Sequence, residues 1–159
     1  MLLSRRTLIA SATALICAPY VARANTPVVV EMLNRHPEDP RQRQIFLPRL
    51  AVIDPGDTVL FKATDRGHNT ASVKGMIPEG AAAWDSALGK DFEITFDVPG
   101  IYGHVCTPHV GIGMVGAVVV TGEGALANYE TAKSVKQSGK ANKVFAEIWD
   151  EINQLGLPA

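Results

Sequence analysis

Cysteine is the scarcest reactive residue of this chain, with two among 159 residues, Cys17 and Cys106. Cys17 falls in an N-terminal stretch with the marks of a leader, so an exported chain would keep Cys106 alone. One thiol makes no internal disulfide, and no second Cys-and-His or Cys-Cys pair exists for a structural zinc site. Charge is sparse too. Only 19% of residues are Asp, Glu, Lys or Arg, 15 basic against 16 acidic. Losing Arg5, Arg6 and Arg23 with the leader leaves twelve basic against sixteen acidic side chains, a balance that speaks against nucleic-acid binding. Beyond the leader no apolar run is long enough to span a membrane. There are no internal repeats and no low-complexity tracts. What remains is 47% hydrophobic, enough for the core of one globular domain and little else.

The leader itself is legible. Residues 1–6 are basic, residues 7–17 form a short apolar run, and Ala22-Arg23-Ala24 is a small-x-small cleavage signal. This predicts an export signal peptide over residues 1–24, a mature chain starting at Asn25, and a periplasmic location. The run is too short for an anchor and Pro19 interrupts it. Arg5-Arg6 also resembles a twin-arginine signal, and both export routes stay open.

Residues 25–121 read as short strands separated by turns. Residues 27–33 are rich in β-branched side chains, residues 34–44 are a polar loop, and residues 45–53 are extended, with Pro48 favouring an edge or a bulge. Asp54-Pro55-Gly56-Asp57 is a turn. Extended pieces follow at 58–63, 68–73, 91–97, 101–105 and 114–121, and the alanines of 79–88 suggest a short helix. The piece at 114–121 is apolar on both faces, as a central strand is. The fold class is an all-β Greek-key sandwich. Residues 122–159 then change period. Leu126, Tyr129 and Val135 mark one α-helix, and Val144, Phe145, Ile148, Trp149, Ile152 and Leu155 mark a second, packed on the sandwich.

The chemistry concentrates in Cys106-Thr107-Pro108-His109-Val110-Gly111-Ile112-Gly113-Met114, a Cys-x2-His-x4-Met spacing. A short loop of this kind folds thiolate, imidazole and thioether donors around one point, and His68 is the candidate for a fourth. Two imidazoles, a thiolate and a distant thioether form the donor set of a blue-copper electron-transfer site. The ordinary alternatives are a buried Cys acting as a small hydrophobe and a Met filling a gap. Pro108 has no amide hydrogen to offer the sulfur. His104 should share the Cys106 side of its strand in a supporting role, and His36 should be solvated. Four histidines do not furnish the additional copper sites of a copper oxidase or nitrite reductase, which argues against an enzyme.

Gly67-His68-Asn69, Gly75-Met76-Ile77-Pro78, Tyr102-Gly103, Cys106-Thr107-Pro108-His109 and Gly113-Met114-Val115-Gly116 together resemble the pseudoazurins. These are small blue-copper proteins of the cupredoxin family. The resemblance runs from about Val28 to the C-terminus. It implies a cupredoxin-like sandwich holding one copper ion that cycles between Cu(I) and Cu(II), with His68, Cys106, His109 and Met114 as ligands. It implies that Asn69 ties the two ligand-bearing segments together. It further implies a docking patch where the His109 edge reaches the surface, formed by Val110, Gly111 and Ile112 and rimmed by basic residues such as Arg35, Arg66 and Lys74, joined by Arg41 and Arg43. Val105, Asp85 and Ala87 stand where the family commonly has lysine, which leaves the partner open. Expected partners are redox proteins in transient complexes: a copper nitrite reductase, a cytochrome or a dehydrogenase. Neither nucleic acid nor membrane is expected as a partner, and the chain is read as a monomer. The competing function is copper delivery or storage; a small redox enzyme is the third.

Overall fold

The computed structural model describes residues 26–157; the leader lies outside them. Among the described residues eight strands form two four-stranded sheets. The first has the order β2-β1-β4-β6 and the second β3-β8-β7-β5. The strands are β1 (Val28–Arg35), β2 (Arg43–Leu47), β3 (Leu50–Ile53), β4 (Asp57–Lys62), β5 (Ala71–Ser72), β6 (Phe92–Phe96), β7 (Gly100–Val105) and β8 (Val115–Val120). Parallel pairing of β1 with β4 and of β3 with β8 makes both sheets mixed. Two helices follow, α1 (Tyr129–Ser134) and α2 (Ala141–Gln154). No described helix is long and apolar enough to cross a membrane.

Strand β8 is buried at all six positions, and the two cores explain why. Val118 and Val120 face the space between the sheets, with Phe46, Phe61, Trp84, Phe96 and Tyr102. Val115, Ala117 and Val119 face the other way, against Ile101, Phe145, Ile148, Trp149 and Ile152. A strand covered on both faces loses the apolar–polar alternation of a half-exposed one. In α2 the spacing of Phe145, Ile148, Trp149 and Ile152 places one stripe against the sheet. Each such side chain contributes on the order of 1.5–3 kcal/mol through burial.

Three local expectations give way to pairing. The polar loop is shorter than the composition suggests, because β1 extends to Arg35 and β2 starts at Arg43. Residues 45–53 are divided between the two sheets, with β2 at an edge and β3 beside β8; the chain crosses at a cis Leu47-Pro48 bond. Residues 79–88 form no helix. That segment is instead held by cross-links to residues 70–72. The Ser72 and Ser86 amides donate to the Trp84 and Thr70 carbonyls, the Trp84 amide reaches Ser72 Oγ, and Ala71 bridges Asp85. Alanine propensity is a weak prior beside such contacts.

Candidate metal centre

Strand β7 ends at Val105, and the chain then makes a 3-10 turn over Thr107–Ile112 before β8 begins. The His109 amide donates to the Cys106 carbonyl (3.0 Å), Gly113 to Val110 (2.9 Å), and Met114 to His109 (3.2 Å). The Cys106 amide closes the loop on the Met114 carbonyl (3.0 Å). These bonds return Met114, fully buried, to the level of Cys106, also fully buried.

His68 arrives from the segment before β5 and completes a triangle. Its Nδ1 lies 3.2 Å from His109 Nδ1 and 3.7 Å from Cys106 Sγ, and His109 Nδ1 lies 3.4 Å from the same sulfur. Those three separations define a centre about 2.0 Å from each donor, the length of a metal–nitrogen or slightly short metal–sulfur bond. Two soft-to-intermediate nitrogens and a thiolate around one point fit copper. Among the described residues His68, Cys106 and His109 are the one group of three His, Cys, Asp or Glu so placed.

Burial acts in opposite senses on two of the donors, favouring at His68 the neutral imidazole that a metal takes and at Cys106 the protonated thiol whose proton a metal must displace. Burial lowers the His68 pKa, and His109 beside it adds to the effect, with Asp65 opposing. Burial pushes the Cys106 thiol up, while the amides of Asn69 and His109 donate towards the sulfur and offset part of that rise. Pro108, lacking an amide hydrogen, contributes none. The Asn69 side chain spans the two ligand-bearing segments. Its Oδ1 accepts from the Thr107 amide (2.8 Å), and its Nδ2 donates to Thr107 Oγ1 (3.1 Å) and Asp85 Oδ1 (3.1 Å).

One contact had no signal in the local sequence. His68 Nε2 lies 3.1 Å from Asn34 Oδ1, and the Asn34 amide donates to Asp65 Oδ2 (2.6 Å). An Nε2–H donated to Asn34 leaves Nδ1 as the free lone pair facing the centre. Asn34 sits in β1, far from either motif, and only pairing in space reveals it. His104 takes no part in the donor group. Its ring is fully buried among Phe46, Phe61 and Trp84, its Nδ1 has no hydrogen-bond partner among the described residues, and burial lowers its pKa to about 3. His36 is half-buried rather than free in solvent; its Nδ1 accepts from the Glu38 and Asp39 amides, both at 3.1 Å.

At the surface above the triangle, His109 is half-buried, Pro108 and Gly111 are exposed, and Ile112 is 53% exposed. Leu88, 60% exposed, lies on the other flank, where the Gly89 amide donates to the His68 carbonyl. Arg35, Arg66 and Lys74 are exposed and have no ion-pair partner among the described residues. Arg35 follows Asn34 and Arg66 precedes His68 by two, whereas Lys74 follows Val73, whose amide bonds Gly103 farther back along β7. Arg41 and Arg43 line a groove of about 900 Å³ that also takes in Ile112, Gly113 and Lys140.

Residues 40–121 match the model for copper binding proteins of the plastocyanin/azurin family. The chain is 39% identical over 148 residues to the pseudoazurin of Methylorubrum extorquens, covering 92% of this chain and 97% of that protein. It is 37% identical over 124 residues to the pseudoazurin of Paracoccus pantotrophus, covering 78% of this chain and 82% of the relative. A solved pseudoazurin structure from Sinorhizobium superposes with a TM-score of 0.75 at 42% identity, over 82% of this chain and 98% of the other.

Proposed function

The chain belongs to the plastocyanin/azurin family of copper-binding proteins, with pseudoazurins as its near-full-length relatives, and on that premise we propose that it is a type 1 blue-copper carrier of single electrons. The observation that carries this reading is the closed triangle of His68 Nδ1, His109 Nδ1 and Cys106 Sγ, over a buried Met114. A bound copper ion supplies a one-electron couple between Cu(II) and Cu(I). Cys106 would hold it as thiolate, His68 and His109 as neutral imidazoles, and Met114 as a weaker thioether donor. Asn69 and Asn34 hold the two ligand-bearing segments and the His68 ring in one orientation. Donors fixed in this way change little between oxidation states, which keeps the barrier to electron transfer low.

Electrons enter and leave through the half-buried edge of His109, framed by Pro108, Val110, Gly111 and Ile112. Arg35 and Arg66 steer an acidic partner toward this patch at long range, with Lys74 farther out. Partners of that kind are redox proteins, with a copper nitrite reductase, a cytochrome and a dehydrogenase as candidates. The working protein is a periplasmic monomer made by removal of residues 1–24, leaving a sandwich over residues 25–121 and a helical extension over residues 122–159. N-terminal sequencing of that protein should begin at or near Asn25. The reading as a carrier rather than an enzyme rests on the histidine count, because four histidines do not furnish the further copper sites of a copper oxidase or nitrite reductase. It rests also on a donor group read as a closed set of two imidazoles, a thiolate and a thioether. The same closure disfavours delivery or storage of copper.

The deciding experiment is the absorption spectrum of the Cu(II)-loaded protein. Intense thiolate charge transfer in the visible supports the carrier, and Cys106→Ser should abolish it while leaving the fold intact. A pale tetragonal spectrum in the wild type would turn the reading to delivery.

A further inference from the structure

The 3-10 turn that carries His109 has no fully buried residue of its own, and half-buried Val110 is the side chain it packs against the second core. Asn69 holds its first residue, Thr107, and the C-terminal helices lean on its far end from outside. The Lys140 amide, at the start of α2, donates to the Gly111 carbonyl at 3.0 Å. Gly139, at φ +57°, packs so closely on Gly111 that an added Cβ would overlap its carbonyl oxygen and lie 3.1 Å from its carbonyl carbon and 3.2 Å from its Cα. One turn into α2, Val144 covers Gly113: a Cβ placed at Gly113 would sit 3.1 Å from Val144 Cγ2 and 3.4 Å from Lys140 Cβ.

Helix α2 is itself a fixed support. Its apolar stripe is sunk against β7 and β8, and Glu147 and Glu151 both accept from Arg49, the residue that precedes β3. Its first turns are held through Ala141 and Phe145 against the same sheet, whose strand β7 leads into Cys106. We propose that the turn between α1 and α2 together with the first turn of α2, through Gly139, Lys140 and Val144, is an outer brace that positions the His109–Met114 segment without touching the metal. Gly139 is the critical position, because no larger residue fits between the turn and Gly111. The brace rests on the copper-site reading for its purpose, while its mechanical effect is independent of copper.

Gly139→Ala combines a left-handed backbone with overlap on the loop, and Gly156→Ala separates the two. Gly156 has nearly the same φ, +63°, and no described residue stands within 4 Å of where a Cβ would go, so it carries the backbone strain alone. Hydrogen exchange on the metal-free protein reads the loop directly. The amides of His109, Gly113 and Met114 should exchange on the order of tenfold faster in Gly139→Ala than in Gly156→Ala or wild type. Val144→Ala, which removes the methyl over Gly113 and adds no overlap, should speed Gly113 and Met114 in the same direction. It decides the question if Gly139→Ala does not fold. In copper-loaded protein Gly139→Ala should also shift the thiolate charge-transfer band and the reduction potential, and Gly156→Ala should move neither. Loop exchange in Val144→Ala and in any folded Gly139→Ala equal to that of wild type would overturn the brace. A wild type without the thiolate band would overturn the copper reading instead and leave the exchange comparison standing.

Discussion

Mild acid should destabilise this protein before its carboxylates titrate, and His104 supplies the reason. Its ring centroid lies 4.5 Å from that of Phe46 and 4.9 Å from that of Phe61, edge-on to both. An added Cβ at Gly116 would lie 2.7 Å from its Cε1 and Nε2, so the cage has no room for water on that side. Burial alone lowers its pKa from 6.5 to about 3. The unfolded chain protonates this imidazole near 6.5 and the folded chain does not. Above that pH neither state holds the proton, and the stability is fully present. As pH falls below it, the unfolded state gains a proton that the native state refuses, so stability drops until the native ring titrates near 3. The slope reaches about 1.4 kcal/mol per pH unit. Between about pH 7 and pH 5 the loss attributable to His104 is therefore about 2 kcal/mol.

Urea unfolding of metal-free wild type and His104→Leu across that pH interval isolates the effect. His68 has a pKa lowered in the same direction, but both proteins contain it and its contribution cancels in the comparison. The wild type should lose about 2 kcal/mol more than the variant, whatever the absolute cost of the substitution. Equal losses would show that His104 titrates alike in both states, and the argument from its dry cage would fall.

Three further outcomes follow from contacts described above. Asn34→Leu removes the acceptor from His68 Nε2 and should weaken metal binding by about 10–100-fold, read by competition titration; unchanged affinity would mean that Asn34 does not orient the ring. Met114→Gln should keep copper bound and lower its reduction potential in voltammetry, because a harder oxygen donor favours Cu(II). An unchanged or raised potential would remove Met114 from the donor set. Phe145→Ala, which empties a fully buried place beneath β8, should cost about 3–5 kcal/mol in chemical denaturation; a loss below about 1 kcal/mol would mean that the second core is not structural.

The fold was legible where one element carries its own periodicity. Helix α2 announces itself through Phe145, Ile148, Trp149 and Ile152, and β8 through a run apolar on both faces. Where pairing decides, local preference misled. The alanines of 79–88 favour a helix in isolation, yet Trp84, Asp85 and Ser86 are held by partners at 69–72, across a turn that no local rule specifies. Pro48 was readable as a feature of an edge. That the chain changes sheets there depends on β3 finding β8, with Leu50 opposite Ala117, and no window around Pro48 contains that fact.

The site divides along the same line. Cys106, His109 and Met114 lie within one nine-residue stretch, so their meeting is a matter of one loop's hydrogen bonds, and the spacing alone suggests it. His68 needed chemistry rather than proximity: few histidines were available, and a thiolate with one imidazole is an incomplete donor set. Asn34 and Gly139 offered neither kind of clue. An asparagine in a strand and a glycine between helices are ordinary residues until the strand brings one to His68 Nε2 and the helix presses the other onto Gly111. Sequence spacing therefore reveals which atoms bind, while the contacts that hold those atoms still come from segments about thirty residues away on either side. A blue-copper site needs both, because the donor set selects the metal and the surrounding contacts limit how far the ligands move when an electron arrives.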